Sequence, residues 1–489
     1  MIAGTADAPL RCDMDTSTSW EAHMRLHRRL ASGAFISSLL VLGLIATSLP
    51  ITASPPPTFT LTPLLLTDGS SEPEISIGGD GTTAMVSLQW LFNPASFGTA
   101  LWTGVFGTPP TFQGIVDNKL QHPGKTVFGA GDAAIDIGST GRVHITTLIF
   151  LVNKPFRREQ LGVSAITCPP PVAGNLSIPS CTSQIIDTAG SDRPWITSDG
   201  KHVYISYHDS GNSSLIHVQR SDDDGFTWTR VGDPVVAQGK TTAFATFNNI
   251  QGNLVADPQT HDVYDIYAAG ETGELKARTF TPNHIIVSRS TDGGKSWRAN
   301  IAFTAAPGTS LGNIFPALAV DPTNGKLYAV WSDGHTVGFT SSADQGSTWS
   351  ARLTASSAPA NTAVLPWVAA YNGIVDVVYY GTASSSDLDL SATWHVYLAQ
   401  LAGSSFAQTQ VNANPNHHGV ICTGGTGCGP GTRNLLDLFQ VAIDPVVGKA
   451  AIIYTDDTIT TSNSPDNFAC LPGQAPPCPL PQAVLAQQN

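Results

Sequence analysis

Charge is scarce in this chain. Only 12% of its 489 residues are Asp, Glu, Lys or Arg, and 24 basic residues face 37 acidic ones, a net charge of −13. That deficit of Lys and Arg excludes nucleic acid as a partner, because phosphate neutralisation needs a basic surface. No long amphipathic helical pattern follows the N-terminal region, so helical bundles are excluded as well. The cysteines include no Cys-x-x-Cys pair of the kind that zinc sites use. What is plentiful is turn chemistry: Gly 46 and Pro 34 beside a 41% hydrophobic fraction describe a turn-rich globular chain and argue against disorder.

The first 53 residues stand apart. A basic group, Arg25, His27, Arg28 and Arg29, precedes the apolar stretch Phe35 to Ile51, the order of a signal peptide. Ser37, Ser38 and Pro50 interrupt the stretch, so cleavage is expected over a retained anchor. Translation from Met24 would give an ordinary signal. Pro55-Pro56-Pro57 then reads as a linker. Cys12 would leave with the signal. The other six cysteines fall into close pairs, Cys168 with Cys181, Cys422 with Cys428 and Cys470 with Cys478. Three local disulfides and an oxidising, extracellular setting are the economical reading. A membrane enters only if residues 35–51 stay uncleaved.

One eight-residue pattern, Ser-x-Asp-x-Gly-x-Ser/Thr-Trp, stands three times, at Ser221–Trp228, Ser290–Trp297 and Ser342–Trp349. Each copy follows a short apolar run, so it reads as a hairpin turn: Asp and Ser bond backbone N–H groups, Gly supplies positive φ, and Trp plugs the space beneath. Repetition on this scale means stacked copies of one supersecondary unit. The pattern resembles the Asp-box of sialidases and other β-propellers. That resemblance implies a turn between third and fourth strands, on the rim away from the active centre, so Asp223, Asp292 and Asp344 read as architecture.

A second pattern recurs where the box is absent. A Pro or acidic residue opens an apolar run, a Gly-containing turn follows, and an aromatic-rich strand comes after. It runs from Glu72-Pro73 to Trp90, from Asp132 to Leu148, from Asp192-Arg193-Pro194-Trp195 to Tyr207, and from Asn253 to Tyr267. It returns from Phe315-Pro316 to Trp331, from Leu365-Pro366-Trp367 to Tyr380, and from Asp437 to Tyr454. Seven such units predict an all-β fold, a single β-propeller of four-stranded blades, with seven blades favoured over six. The seventh unit lacks a fourth strand, which Phe59 to Leu66 can supply by pairing chain start with chain end. The expected layout is residues 1–53 as signal or anchor, 54–70 as linker and closing strand, 71–460 as propeller, and 461–489 as a disulfide-containing tail.

In such a blade the loops entering the first strand and those joining the second and third share one face. That face collects Glu72, Glu74, Asp132, Asp192, Arg193, Trp195, Trp367, Arg433, Asp437 and Gln440, then Tyr207-His208-Asp209, Asp333-Gly334-His335, Tyr379-Tyr380 and Thr455-Asp456-Asp457. Acids, aromatics and arginine around a funnel suit a sugar, whose ring stacks on aromatic faces while carboxylates act as acid, base or nucleophile. Sialidases carry an Arg-x-Pro motif before an inner strand, its Arg one of three that grip the substrate carboxylate. Here Arg193 abuts Pro194 directly, and Arg433 is the other arginine at a strand entrance; a third would come from Arg157, Arg158 or Arg278. The resemblance implies a Tyr nucleophile and an Asp acid/base, roles that fall to Tyr380 and Asp209. Arg193, Arg433, Asp192, Asp132, Trp195, Trp367 and Asp437 are the expected sugar contacts.

The blander readings compete residue by residue. Asp192 and Asp437 can cap backbone N–H groups of a neighbouring blade, Arg193 can pair with Asp192 or Asp132, and the tyrosines can pack. Asp222-Asp223-Asp224 reads as a solvated acidic turn rather than a Ca²⁺ loop, and His417-His418 as a loop pair rather than metal ligands. No metal or cofactor is expected. The functional expectation is a secreted glycan-active propeller, of exo-sialidase type if an enzyme. The alternatives are a non-catalytic propeller binding carbohydrate or an extracellular protein, and a polysaccharide lyase.

Overall fold

The computed structural model of this chain describes residues 55–89, 98–153, 159–210, 215–235, 249–271, 280–464, 469–471 and 473–489. Cys12, Met24, the apolar stretch 35–51, Trp90, Arg157, Arg158 and Arg278 lie outside them. Seven antiparallel sheets follow one another along the chain, each of four strands, and blade six gains a short fifth, His417–His418. The chain is a seven-bladed β-propeller. Among the described residues only two three-residue turns, Ile178–Ser180 and Gly425–Gly427, are helical.

The innermost strands, blade one to blade seven, are Ser71–Ile77, Lys125–Ile137, Ser191–Asp199, Asn249–Ala256, Ala317–Val320, Thr362–Tyr371 and Gln440–Ile443. All seven line one central cavity of about 270 Å³. Second strands are sandwiched between neighbouring blades and buried on both faces. They therefore read as near-continuous apolar runs, such as Ile374–Thr382, in which all but the first residue are buried.

Proline shapes the entrances. Pro73, Pro194 and Pro366 each sit in an inner strand, and the register with the second strand slips there, between Ser71 and Glu74, Asp192 and Trp195, and Val364 and Trp367. A residue without an N–H cannot feed the ladder, so the strand bulges. The residue before each proline takes the left-handed conformation, Glu72 at φ 50°, Arg193 at 50° and Leu365 at 55°. For a non-glycine residue that costs on the order of 1–3 kcal/mol, and it re-aims the side chains at the mouth of the ring.

The three repeated octapeptides all join third to fourth strands, in blades three, four and five. In the first, Asp223 accepts the Thr227 N–H at 2.7 Å and the Thr227 hydroxyl at 2.7 Å, while the Trp228 indole donates to the Gly225 carbonyl at 3.1 Å. Asp292 and Asp344 repeat the same bonds. Gly225, Gly294 and Gly346 hold φ of 88°, 84° and 79°, which only glycine takes without strain.

Blade seven closes the ring. Its order from the centre is Gln440–Ile443, Ala450–Asp456, Gln482–Gln488 and Phe59–Leu64. Phe59 pairs with Gln488 and Leu64 with Ala483, so chain start and chain end share one sheet. The ring extends past residue 460, because its third strand there is Gln482–Gln488. That strand is the apolar run Ala483 to Ala486 within a polar segment, too short to stand out in sequence. Three disulfides, Cys168–Cys181, Cys422–Cys428 and Cys470–Cys478, each close a local loop.

Candidate functional site

The entrances of blades seven, one, two and three bring Glu72, Asp132, Asp192, Arg193, Arg433 and Asp437 together at one mouth. Glu72 accepts the Asp437 N–H at 3.0 Å, and Asp132 accepts the Arg193 N–H at 3.2 Å. Asp132 stands near enough for its charge to act on the Glu72 carboxyl. Arg433 grips Asp437 with two nitrogens, Nε at 3.0 Å and a second contact from its terminal nitrogen. Arg193 Nε bonds Asp192 Oδ2 at 3.4 Å. Each guanidinium is therefore committed to an aspartate of its own blade, and the described residues bring no third arginine beside them.

Electrostatics follow from that packing. Burial, then the charges of Asp132 and Asp437, push the Glu72 carboxyl well above the carboxylate range, against the pull of Arg433. Burial and the charges of Asp192 and Asp437 push Asp132 up to about 7. Burial and like charge favour the neutral form of both groups, and at about 7 Asp132 is substantially protonated near neutrality. Glu74, 1% exposed, is raised well above its usual range by burial; its Oε2 accepts the Ile135 N–H at 3.3 Å while its Oε1 has no partner.

Several of these groups also lace neighbouring blades together. Gln440 Oε1 accepts the Ile75 N–H at 3.0 Å, and Asn253 Oδ1 accepts the Leu318 N–H at 2.8 Å. The Glu72, Glu74 and Asp132 bonds to backbone N–H groups belong to the same scheme. They satisfy donors at the entrances and on the inner edge of the innermost strands, which no further strand pairs.

Trp195 and Trp367 meet each other. Their rings lie 5.3 Å apart and Phe315 stands edge-on to Trp195 at 5.2 Å. The two tryptophans are 3% and 8% exposed, so their faces are spent on core packing. Tyr380 and Asp209 are not brought together: Tyr380 ends the second strand of blade six and Asp209 that of blade three. The Tyr380 hydroxyl accepts the Thr455 N–H at 3.0 Å, its ring packs on Phe439 at 4.2 Å, and burial raises its phenol strongly. Among the described residues no carboxylate takes its proton. Asp209 accepts from His217 Nε2 at 3.0 Å, and His217 Nδ1 meets Asp233 at 3.0 Å.

The remaining motif residues go separate ways. Asp222 pairs with Arg220 at 2.6 Å, Asp223 serves its turn, and Asp224 meets Arg142 at 3.0 Å and His144 at 3.2 Å across the blade seam. Both ring nitrogens of His417 are engaged, Nδ1 with Asp457 at 2.9 Å and Nε2 with the Val420 carbonyl at 3.0 Å. Among the described residues no group of three His, Cys, Asp or Glu side chains is placed to hold a metal ion. Glu72 stands among the entrance residues in sequence without a role; glutamate's rarity after residue 53 was the one signal for it.

No protein-family model and no curated protein matches this chain. Solved structures similar to it are sialidase and arabinanase β-propellers at low identity. Trypanosoma rangeli sialidase is 12% identical, over 89% of this chain and 60% of that one, with a TM-score of 0.42. The intramolecular trans-sialidase of Ruminococcus gnavus is 11% identical over 85% and 94%, at 0.41. Penicillium chrysogenum alpha-L-arabinanase is 10% identical over 88% and 96%, at 0.40. This chain spans about half to two thirds of the length of the Trypanosoma rangeli sialidase chains.

Proposed function

We propose that this propeller acts on glycans at the mouth formed by blades seven, one, two and three. The observation that carries the reading is the gathering of Glu72, Asp132, Asp192 and Asp437 at one mouth, where burial and like charge push Glu72 and Asp132 toward the protonated form. A protonated carboxyl next to charged ones is the requirement of acid/base glycoside cleavage. Glu72 and Asp132 hold the proton, Asp192 is the most exposed carboxylate of the group, its side chain 41% accessible, and Arg193 with Arg433 orients it and Asp437. Sialidase-type chemistry through Tyr380 and Asp209 is not part of the proposal, since the two stand on different blades.

One observation favours a second reading, a non-catalytic glycan-binding propeller: the mouth carboxylates also cap backbone N–H groups of neighbouring blades. We propose an oxidising compartment as its setting, in keeping with three disulfides, and residues 1–53 as export signal or anchor. Among the described residues no helix is long and apolar enough to cross a membrane.

The test is turnover of a panel of 4-methylumbelliferyl glycosides, a sialoside included, by the wild type, Glu72→Gln and Asp132→Asn. Hydrolysis that falls at least 100-fold in both variants, with melting temperature retained, supports catalysis. No turnover with retention on a glycan array selects the binder. No turnover and no retention sinks both.

A further inference from the structure

A second and larger cavity, lined by none of the mouth residues, lies in the cleft between blades six and seven. It measures about 510 Å³ against about 270 Å³ for the central one, within the usual range of small-molecule sites. Leu61 and Pro63 of the closing strand, Pro415, Ile459 and Val484 give it apolar walls, and Asp456 lines it beside Tyr454 and His418. Tyr454 and Asp456 are two residues apart on one strand, and so face the same side.

Asp456 is the informative group. It is 7% exposed, yet among the described residues it takes part in no ion pair. Its Oδ1 accepts the Thr458 N–H and hydroxyl, each at 2.8 Å, while Oδ2 has no hydrogen-bond partner among the described residues. The adjacent Asp457 is served differently, by His417 at 2.9 Å and the Asn434 amide at 2.7 Å. Buried carboxylates are almost always paired, and one left unpaired on the wall of a cavity marks a functional candidate.

We propose that this cleft binds a small ligand with a cationic amine head, placed on Asp456, and an apolar body held by Leu61, Pro63 and Ile459. The ammonium gives Asp456 the cationic partner that no protein group supplies among the described residues. Burial holds the Asp456 carboxyl at about 6, which leaves it mostly ionised at pH 7.5. The site is separate from the mouth and does not rest on the glycan proposal.

The experiment is isothermal titration of the full chain at pH 7.5 with tyramine, and with 4-ethylphenol as the isostere lacking the amine. Saturable tyramine binding is expected, with 4-ethylphenol roughly ten- to a hundred-fold weaker, as loss of a hydrogen bond to a charged group implies. Asp456→Asn should weaken tyramine by the same factor, and Ile459→Trp, at an exposed position, should block the cleft sterically with the melting temperature unchanged. Equal affinity for the two probes, tyramine binding that survives both substitutions, or no saturable binding overturns the proposal.

Discussion

Two aspartates on opposite faces of this ring, Asp344 and Asp132, meet opposite fates. On the hairpin-turn face, Asp344 is ringed by donors, the Thr348 hydroxyl and N–H and the Ser342 hydroxyl, which hold it at about 2. At the mouth, burial and neighbouring negative charge push Asp132 to about 7. The residue type is the same, and the supply of donors against the supply of like charge decides the direction. The contrast separates carboxylates that fix architecture from those that retain a proton to use.

The largest expected effect tests the architectural face. Trp297 is 2% exposed and seals its turn by donating to the Gly294 carbonyl at 2.9 Å. Trp297→Ala should cost about 3–5 kcal/mol in urea unfolding, whereas Glu72→Gln at the mouth should cost little, since an amide oxygen can still accept the Asp437 N–H. A cost for Glu72→Gln as large as that for Trp297→Ala would erase the distinction. Next comes the Cys168–Cys181 link in blade two, which closes a 13-residue separation. Replacing both with Ser should cost roughly 3 kcal/mol in the chain-entropy model, read as a lower denaturation midpoint.

The smallest and sharpest effect is in pH. Asp132 is raised in the folded state, so its contribution to stability is complete below about pH 4 and is lost as pH rises through 7. Asp344 is lowered, so its contribution is present above about pH 4 and is lost as pH falls toward 2. Asp132→Asn should flatten the decline in melting temperature between pH 5 and 8. Asp344→Asn should instead flatten it between pH 4 and 2. If both variants changed the same limb, the two-face account would be wrong.

The ring itself was legible because its turns carry local chemistry: Ser, Asp, Gly and Trp at fixed offsets announce a hairpin without help from distant residues. The seven Pro- or acid-opened runs were legible for the same reason. The mouth was only half legible. Sequence places Asp132, Asp192, Arg193, Arg433 and Asp437 on one face, and the structure gathers them with Glu72. It does not tell which guanidinium already has a partner, and Arg433 finds Asp437 four residues on. Trp195 and Trp367 look like sugar platforms in sequence, yet a seven-bladed ring brings blades three and six close enough for the two rings to pack together. Tyr380 and Asp209 share a face but sit three blades apart, and no local pattern reports distance around a circle.

The closing strand carries a consequence for biosynthesis. Thr60 bonds Asn489 across 429 residues of chain, so Phe59–Leu64 waits without its partner until Gln482–Gln488 has left the ribosome. At about 5–20 residues per second that is on the order of half a minute. Throughout that interval the nascent molecule exposes an open sheet edge, and a chaperone or a translocating channel that shields it would set the yield of finished rings.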